Sequence, residues 1–286
     1  MSAKDPFTGA AVVAGVCGWP VRHSRSPRIH NYWLRRYGID GVYVPFAVDP
    51  ARAVDAFRSL PLLGIRGLNV TVPNKEHAFR AMDALDPSAR RMKAVNTIVV
   101  RDDGSLHGSN TDAYGFLESL RESRPGWRAD AGPAVILGAG GAARAIVAGL
   151  QEAGAPEIRL LNRTTERAAA VADEFGRPVA TVSWAERAEA LDGAALLVNA
   201  TSLGMDGKPA LEIALDALPR AAVVYDIVYV PLETPLLAAA RARGNPAIDG
   251  LGMLLHQARP GFRAWFGTDP EVDPGLRAHV LADLGK

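Results

Sequence analysis

Thiols are nearly missing from this chain: a single cysteine, Cys17, stands among 286 residues. One cysteine excludes an intramolecular disulfide framework and any all-cysteine metal site. Charge of one sign is missing too, with 32 Lys+Arg against 31 Asp+Glu and a formal net charge of +1. A protein held to nucleic acid by its phosphates carries a strong basic surplus, so this balance speaks against such a partner. No apolar run approaches the roughly 18 uncharged residues of a membrane span. Lys4, Asp5 and Pro6 precede the first apolar stretch, which predicts no signal peptide. The sequence holds no H-E-x-x-H, EF-hand spacing or Cys/His cluster, so no metal is expected. What remains is a cytoplasmic globular protein, 48% hydrophobic, long enough for one large domain or two modest ones.

Short β-branched runs alternate with longer Ala/Leu/Arg-rich segments, which predicts an α/β architecture. Candidate strands are 11–17, 42–47, 65–70 and 95–101, then 134–137, 158–161, 179–182, 196–199 and 223–227. Amphipathic helices are predicted between them, among them 29–37, 51–60, 142–153 and 166–175. The polar stretch 121–132, with Pro125 and Gly126, predicts a linker or domain edge. Beyond Gly250, Met253, Leu254, Leu255, Phe262, Trp265 and Phe266 recur at near-helical spacing and need a surface to pack on.

The segment Val135–Ala143 reads as a strand, a glycine turn and a helix start, and fits G-x-G-x-x-A. Gly138 permits the tight turn, Gly140 lets backbone approach a pyrophosphate, and Ala143 permits close helix–strand packing. The helix N-terminus then offers N–H groups to phosphate. No Lys-Ser/Thr pair follows, so this is not a P-loop. About 20–25 residues on, an NAD enzyme places an acid against the ribose 2′-hydroxyl. Here the strand end reads Leu161-Asn162-Arg163-Thr164-Thr165-Glu166-Arg167, with guanidiniums where a carboxylate would stand. Guanidinium forks suit a 2′-phosphate, which points to NADP. The plainer alternative is that Thr164 caps a helix and both arginines are solvated.

Four N-terminal clusters combine loops with polar side chains. In Gly18–Pro27, Ser26-Pro27 resembles a helix cap followed by Pro at the first helical position. Alternation in an extended segment would put Ser24 on the same side as Ser26, giving two hydroxyls for a small polar ligand. In Asn69-Val-Thr71-Val-Pro73-Asn-Lys75, Pro73 ends a strand and throws Thr71 and Lys75 into a loop or first helical turn. Ala94-Val-Asn96-Thr97 opens a strand, and Thr111 or Asp112 in Asn110-Thr111-Asp112 suits a helix cap. A nicotinamide-dependent carbonyl reduction asks the protein for substrate orientation and a proton donor, which a Lys–Asp pair can supply.

Taken in order, these clusters resemble the shikimate/quinate dehydrogenase family, NADP-dependent shikimate dehydrogenases in particular. The resemblance rests on Gly18–Pro27, Asn69–Lys75, Ala94–Thr97, Asn110–Asp112, Gly138–Ala142 and Asn162–Thr164. It continues through Asn-Ala-Thr-Ser-x-Gly-Met at Asn199–Met205, Tyr-Asp-x-x-Tyr at Tyr225–Tyr229, and Gly-x-x-Met-Leu-x-x-Gln at Gly250–Gln257, covering nearly the whole chain. It implies an α/β substrate domain over 1–111 completed by 250–286, a Rossmann NADP-binding domain over 112–249, and an active site in the cleft between them.

The implied activity is reversible reduction of 3-dehydroshikimate to shikimate with NADP, a step toward chorismate and the aromatic amino acids. By resemblance, Ser24 and Ser26 hold the substrate carboxylate, while Thr71, Asn96, Tyr229 and Gln257 contact the carboxylate or ring hydroxyls. Lys75 and Asp112 form the acid/base pair at the C3 oxygen. Gly138, Ala139, Gly140, Gly141 and Ala142 meet the pyrophosphate; Asn162, Arg163, Thr164 and Arg167 hold the 2′-phosphate end; Ile227 and Gly250 touch the nicotinamide half. One departure is Lys93, where the family commonly has Gly before Ala-Val-Asn-Thr; if that position needs positive φ, Lys93 is strained. The competing readings are a quinate/shikimate dehydrogenase using NAD or both cofactors, and a non-catalytic binding protein on the same scaffold. The partners expected are small molecules, with neither nucleic acid nor membrane, and the assembly is left open between monomer and homodimer.

Overall fold

The computed structural model describes residues 7–282; Lys4, Asp5 and Pro6 lie outside the described residues. The chain divides into two compact units, one running to Thr111 and resuming at Gln257, the other spanning Asp112–His256.

The first unit contains β1 (Val12–Gly18), α1 (Ser26–Tyr37), β2 (Gly41–Ala47), α2 (Ala53–Arg58), β3 (Ile65–Val70), α3 (Lys75–Ala81), β4 (Ala84–Leu85), α4 (Pro87–Met92), β5 (Thr97–Val100) and β6 (Leu106–Ser109). They form a six-stranded sheet in the order β2-β1-β3-β5-β6-β4. The sheet is mixed: β1 runs parallel to β2 and β3, whereas β5 is antiparallel to β3 and β6. Most of β1, V-V-A-G-V-C-G, is buried. A strand covered on both faces loses its polar alternation, which is why this run reads as continuous apolar sequence. Helix α1 buries Ile29, His30, Trp33 and Leu34 on one side and ends at Gly38, whose φ of 63° is left-handed.

The second unit contains α5 (Asp112–Ser123), β7 (Ala134–Leu137), α6 (Gly141–Glu152), β8 (Ile158–Leu161), α7 (Thr165–Phe175), β9 (Val179–Val182), β10 (Leu196–Asn199), β11 (Val223–Asp226), α8 (Pro235–Arg243), β12 (Ala247–Ile248) and α9 (Leu251–His256). All six strands are parallel, in the order β12-β11-β10-β7-β8-β9. Chain order therefore reverses between β7 and β10, the switch point at which Rossmann sheets bind dinucleotides. Val135, Ile136 and Leu137 in central β7 are fully buried. Tyr225 of β11 donates to Ser119 Oγ of α5 at 2.8 Å, joining sheet to helix.

Two further helices, α10 (Arg259–Phe266) and α11 (Pro274–Leu281), complete the first unit. Trp265 Nε1 donates to the Ile98 carbonyl at 2.9 Å, and Phe262 packs edge-on against Trp33. The apolar residues beyond Gly250 thus divide between two partners. Met253 packs on the core of the second unit, while Phe262 and Trp265 pack on the first.

Several expectations shift. The stretch 121–132 lies inside the second unit, not at its edge, because α5 packs on α6 and α9. The return to the first unit comes one short helix later than Gly250, since α9 packs on α5. Strand β5 starts at Thr97 because the Val95 amide donates instead to the Lys75 carbonyl, at 3.0 Å. Lys93 does occupy the left-handed region, with φ of 49°, at the C-cap of α4.

Candidate active site

In the first unit, Asn96 and the Gln257 backbone, both named from sequence, join one buried chain of hydrogen bonds. The Tyr43 hydroxyl donates to Asn69 Oδ1 at 2.6 Å, and Asn69 Nδ2 reaches Thr97 Oγ1 at 3.3 Å. Thr97 Oγ1 donates to Asn96 Oδ1 at 3.0 Å, and the Thr111 amide donates to the same oxygen at 2.9 Å. Thr111 Oγ1 in turn donates to the Gln257 carbonyl at 2.8 Å. Burial raises the Tyr43 pKa well above the ordinary tyrosine value, so this hydroxyl stays neutral. The donors reaching Asn96 Oδ1 fix which end of its amide is the oxygen. Lys75 opens α3 and is tied through its carbonyl to Val95, the neighbour of Asn96.

The loop before α1 is not extended. Val21–Ser24 forms a turn, with the Ser24 amide on the Val21 carbonyl at 2.9 Å. Alternation therefore does not relate Ser24 to Ser26. Nor does Ser26 cap α1: it is the first helical residue, and Ser24 Oγ accepts its amide at 3.3 Å. The cap residue of α1 is Arg25, which makes no side-chain cap hydrogen bond. The Thr111 hydroxyl lies within hydrogen-bond distance of both the Gln257 carbonyl, at 2.8 Å, and Asn96 Oδ1, at 3.2 Å.

In the second unit, the named residues follow the carboxyl ends of the parallel strands. After β7, Gly138 has φ of 113°, and a Cβ there would meet the Ala200 carbonyl at 2.9 Å, so only glycine fits. A Cβ on Gly140 or Gly141 would meet nothing within 4 Å, which leaves open space over the turn. Gly140 caps the twelve-residue α6 without any side-chain hydrogen bond to the helix N–H groups. That combination suits a pyrophosphate, whose oxygens would take those amides.

After β8, Asn162 Nδ2 donates to the Thr164 carbonyl at 2.9 Å. Thr164 stands at the cap position of α7 but makes no side-chain cap bond. Arg163 and Arg167 are exposed and form no ion pair among the described residues. Two uncommitted guanidiniums fit the 2′-phosphate of NADP. After β11 and β12, Ile227 and Gly250 meet: a Cβ on Gly250 would lie 2.0 Å from the Ile227 carbonyl oxygen. The Gly250 amide also donates to the Val228 carbonyl at 3.1 Å. Asp112 opens α5, and half-buried Tyr229 lies in the loop beyond β11; both belong to the second unit.

Sequence reasoning gave no role to Asp226, Asn199 and Thr234, which form a buried cluster at the ends of β10 and β11. Asp226 Oδ1 accepts from Asn199 Nδ2 at 2.9 Å and from the Val228 amide at 3.0 Å, while Oδ2 accepts from Thr234 Oγ1 at 2.7 Å. Burial pushes the Asp226 pKa up to about 6, against the pull of those three bonds. The only available signal was that Asn199 and Asp226 sit inside quoted motifs. Tyr43 went unnoticed as well, hidden in an ordinary strand pattern. No cluster of metal-ligating side chains occurs among the described residues, nor any helix long and apolar enough to cross a membrane.

A Rossmann sheet with a glycine turn at its switch point and free guanidiniums after the second strand defines a pyridine-nucleotide oxidoreductase. Comparison with known proteins narrows the class. Residues 16–98 match the shikimate dehydrogenase substrate binding domain, 125–228 match shikimate / quinate 5-dehydrogenase, and 250–278 match the shikimate 5'-dehydrogenase C-terminal domain. The chain belongs to the shikimate dehydrogenase family. Shikimate dehydrogenase (NADP(+)) of Paramagnetospirillum magneticum is 61% identical, over 96% of this chain and all of that one. The Thermus thermophilus shikimate 5-dehydrogenase, solved with NADP(H) and shikimate, superposes with a TM-score of 0.83 at 38% identity, covering 95% and 99%. A quinate dehydrogenase from Corynebacterium glutamicum, solved with NAD, gives a TM-score of 0.87 at 31% identity, covering 95% and 99%. The fold is therefore common to both substrates and both cofactors.

Proposed function

We infer that the chain catalyses the reversible NADP-dependent reduction of 3-dehydroshikimate to shikimate, in the pathway toward chorismate and the aromatic amino acids. One observation supports this reading above the others. A buried relay joins Tyr43, Asn69, Asn96 and the Gln257 backbone, and Lys75 is bonded to Val95 beside it. Such fixed donors suit a small, polar, carboxylated ring.

When bound, NADPH supplies the hydride. The protein's own residues do the rest. Ser24 and Ser26 receive the carboxylate, and Thr71, Asn96, Tyr229 and Gln257 receive it or the ring hydroxyls. The Lys75 ammonium stabilises the developing alkoxide at C3 and gives up a proton as carbonyl becomes alcohol. Asp112 accepts from the C3 hydroxyl and orients it; in the oxidative direction the proton returns to this pair. Gly138–Ala142 receive the pyrophosphate, and Asn162, Arg163, Thr164 and Arg167 receive the 2′-phosphate. Ile227 and Gly250 flank the nicotinamide half.

The exposed arginines after β8, with no strand-end acid, favour NADP over NAD. An NADP-linked biosynthetic step on small molecules fits the cytoplasm and calls for neither nucleic acid nor membrane; sedimentation separates monomer from homodimer. The deciding assay follows NADP reduction at 340 nm with shikimate, repeated with quinate and with NAD. Shikimate with NADP gives the highest kcat/KM; preference for NAD overturns the cofactor assignment, and preference for quinate overturns the substrate.

A further inference from the structure

Asp226 accepts three hydrogen bonds from three different places in the second unit. Each donor is locked by a second bond of its own. The Thr234 hydroxyl accepts from the Leu237 amide at 3.3 Å as the cap of α8, so its hydrogen is left to point at Asp226 Oδ2. Asn199 Oδ1 accepts from the Thr201 amide at 3.1 Å and the Thr201 hydroxyl at 2.7 Å. Its Nδ2 is thereby turned toward the Leu203 carbonyl at 3.0 Å and Asp226 Oδ1. The third donor is the backbone of Val228, and the Val228 carbonyl in turn accepts the Gly250 amide. Asp226, Asn199 and Thr234 are all at most 1% exposed.

We propose that Asp226 is a positioning residue for the nicotinamide half of the cofactor: its carboxylate holds the loops after β10 and β11 and, through Val228, sets the Ile227–Gly250 contact. It sits next to Ile227 in sequence, yet its side chain turns away into the Asn199–Thr234 cluster. Every partner is a donor, so the group must act as an acceptor with both oxygens. An amide of the same shape offers one oxygen and brings an N–H against a donor, which a buried site does not tolerate cheaply. The proposal rests on the reading above that Ile227 and Gly250 flank the nicotinamide.

The test compares two ligands on the full chain. Adenosine 2′,5′-bisphosphate probes the end of the cofactor held by Arg163 and Arg167; NADPH also reaches Ile227 and Gly250. For Asp226→Asn we expect bisphosphate affinity to stay within about twofold of wild type while NADPH affinity and kcat fall by about 10–100-fold, the order that a misplacement of about 1 Å produces. Thr234→Val, which keeps the side-chain shape and removes one donor, moves the same ratio in the same direction, and Thr234→Ser restores it. Equal loss of both ligands in Asp226→Asn, or a Thr234→Val protein that differs from wild type in melting temperature alone, overturns the proposal. Should wild type fail to oxidise shikimate, the function reading falls instead, and the ratio of the two binding constants still tests Asp226.

Discussion

On the function proposed above, the two units meet the same task, holding a small anionic ligand, with different materials. The first uses side chains: hydroxyls and amides of Tyr43, Asn69, Thr97, Asn96 and Thr111, lined up in a buried neutral relay. The second uses backbone: a glycine turn, the open N-terminus of α6, and the close approach of Gly250 to Ile227, with charge added from exposed arginines. A side-chain relay can distinguish one ring hydroxyl pattern from another, because each misplaced group leaves a buried partner unpaired. A backbone cradle recognises phosphate wherever it comes from. The proposed function thus assigns specificity for substrate to the first unit and specificity for cofactor to the exposed arginines of the second.

The largest expected break in this comparison is Lys75→Ala. Removing the proton donor lowers kcat by about 10²–10⁴-fold while substrate and cofactor binding largely persist, read from steady-state kinetics and calorimetry. Near-normal turnover would strip Lys75 of its role. Next comes the double variant Arg163→Ala/Arg167→Ala, for which kcat/KM with NADP falls by about 10–100-fold and that with NAD barely changes, since each lost charged hydrogen bond is worth about 1.5–3 kcal/mol partly screened by water. An equal fall with both cofactors would place the arginines elsewhere than at the 2′-phosphate.

Tyr43→Phe sharpens the other side. It leaves buried Asn69 Oδ1 without its 2.6 Å donor, so unfolding free energy falls by about 1–3 kcal/mol and KM for shikimate rises, with KM for NADP unchanged. A cofactor effect of the same size would blur the division of labour. A smaller effect concerns pH. His30, fully buried and stacked on Tyr43 at 4.0 Å, has its pKa lowered by burial to about 3, below the ordinary 6.5. Between those values the unfolded chain takes up a proton that the folded one refuses. Stability from this group is therefore complete above pH 6.5 and is lost as pH falls, by about 1.4 kcal/mol per unit. His30→Phe should flatten the denaturation midpoint against pH by that slope; an unchanged slope would mean that His30 titrates normally. Least of all, Lys93→Gly relieves the left-handed φ of 49° and raises stability by about 1 kcal/mol in urea denaturation. A loss of stability would show Lys93 to be held by something worth more than its strain.

Legibility followed the same division. The backbone-built site was written in the sequence, because glycine at Gly138 and small Ala143 have few other reasons to sit at the end of an apolar run. The Rossmann strands were equally visible, since 134–137, 158–161, 179–182, 196–199 and 223–227 are short, mainly apolar runs set between helical segments. The relay was not. Tyr43 alternates like any strand residue, and Asn69 and Thr97 become partners only when β3 pairs with β5. The short strands β4, β6 and β12 escaped for a related reason: L-H-G-S has no apolar run, and two-residue strands have no period. Ser24 and Ser26 were misplaced because turn 21–24 carries no glycine to announce it.

Trp265 reaches back to the Ile98 carbonyl, and Phe262 to Trp33, across the whole intervening sequence of the other unit. The order of events during synthesis follows from that reach. The amino-terminal unit leaves the ribosome first but lacks α10 and α11, so its aromatic core stays open while residues 112–256 are made. The Rossmann unit, contiguous in sequence, can close before its predecessor does. A nascent chain thus completes the glycine turn and α6 before the hydrogen-bonded relay of the first unit is sealed at Gln257.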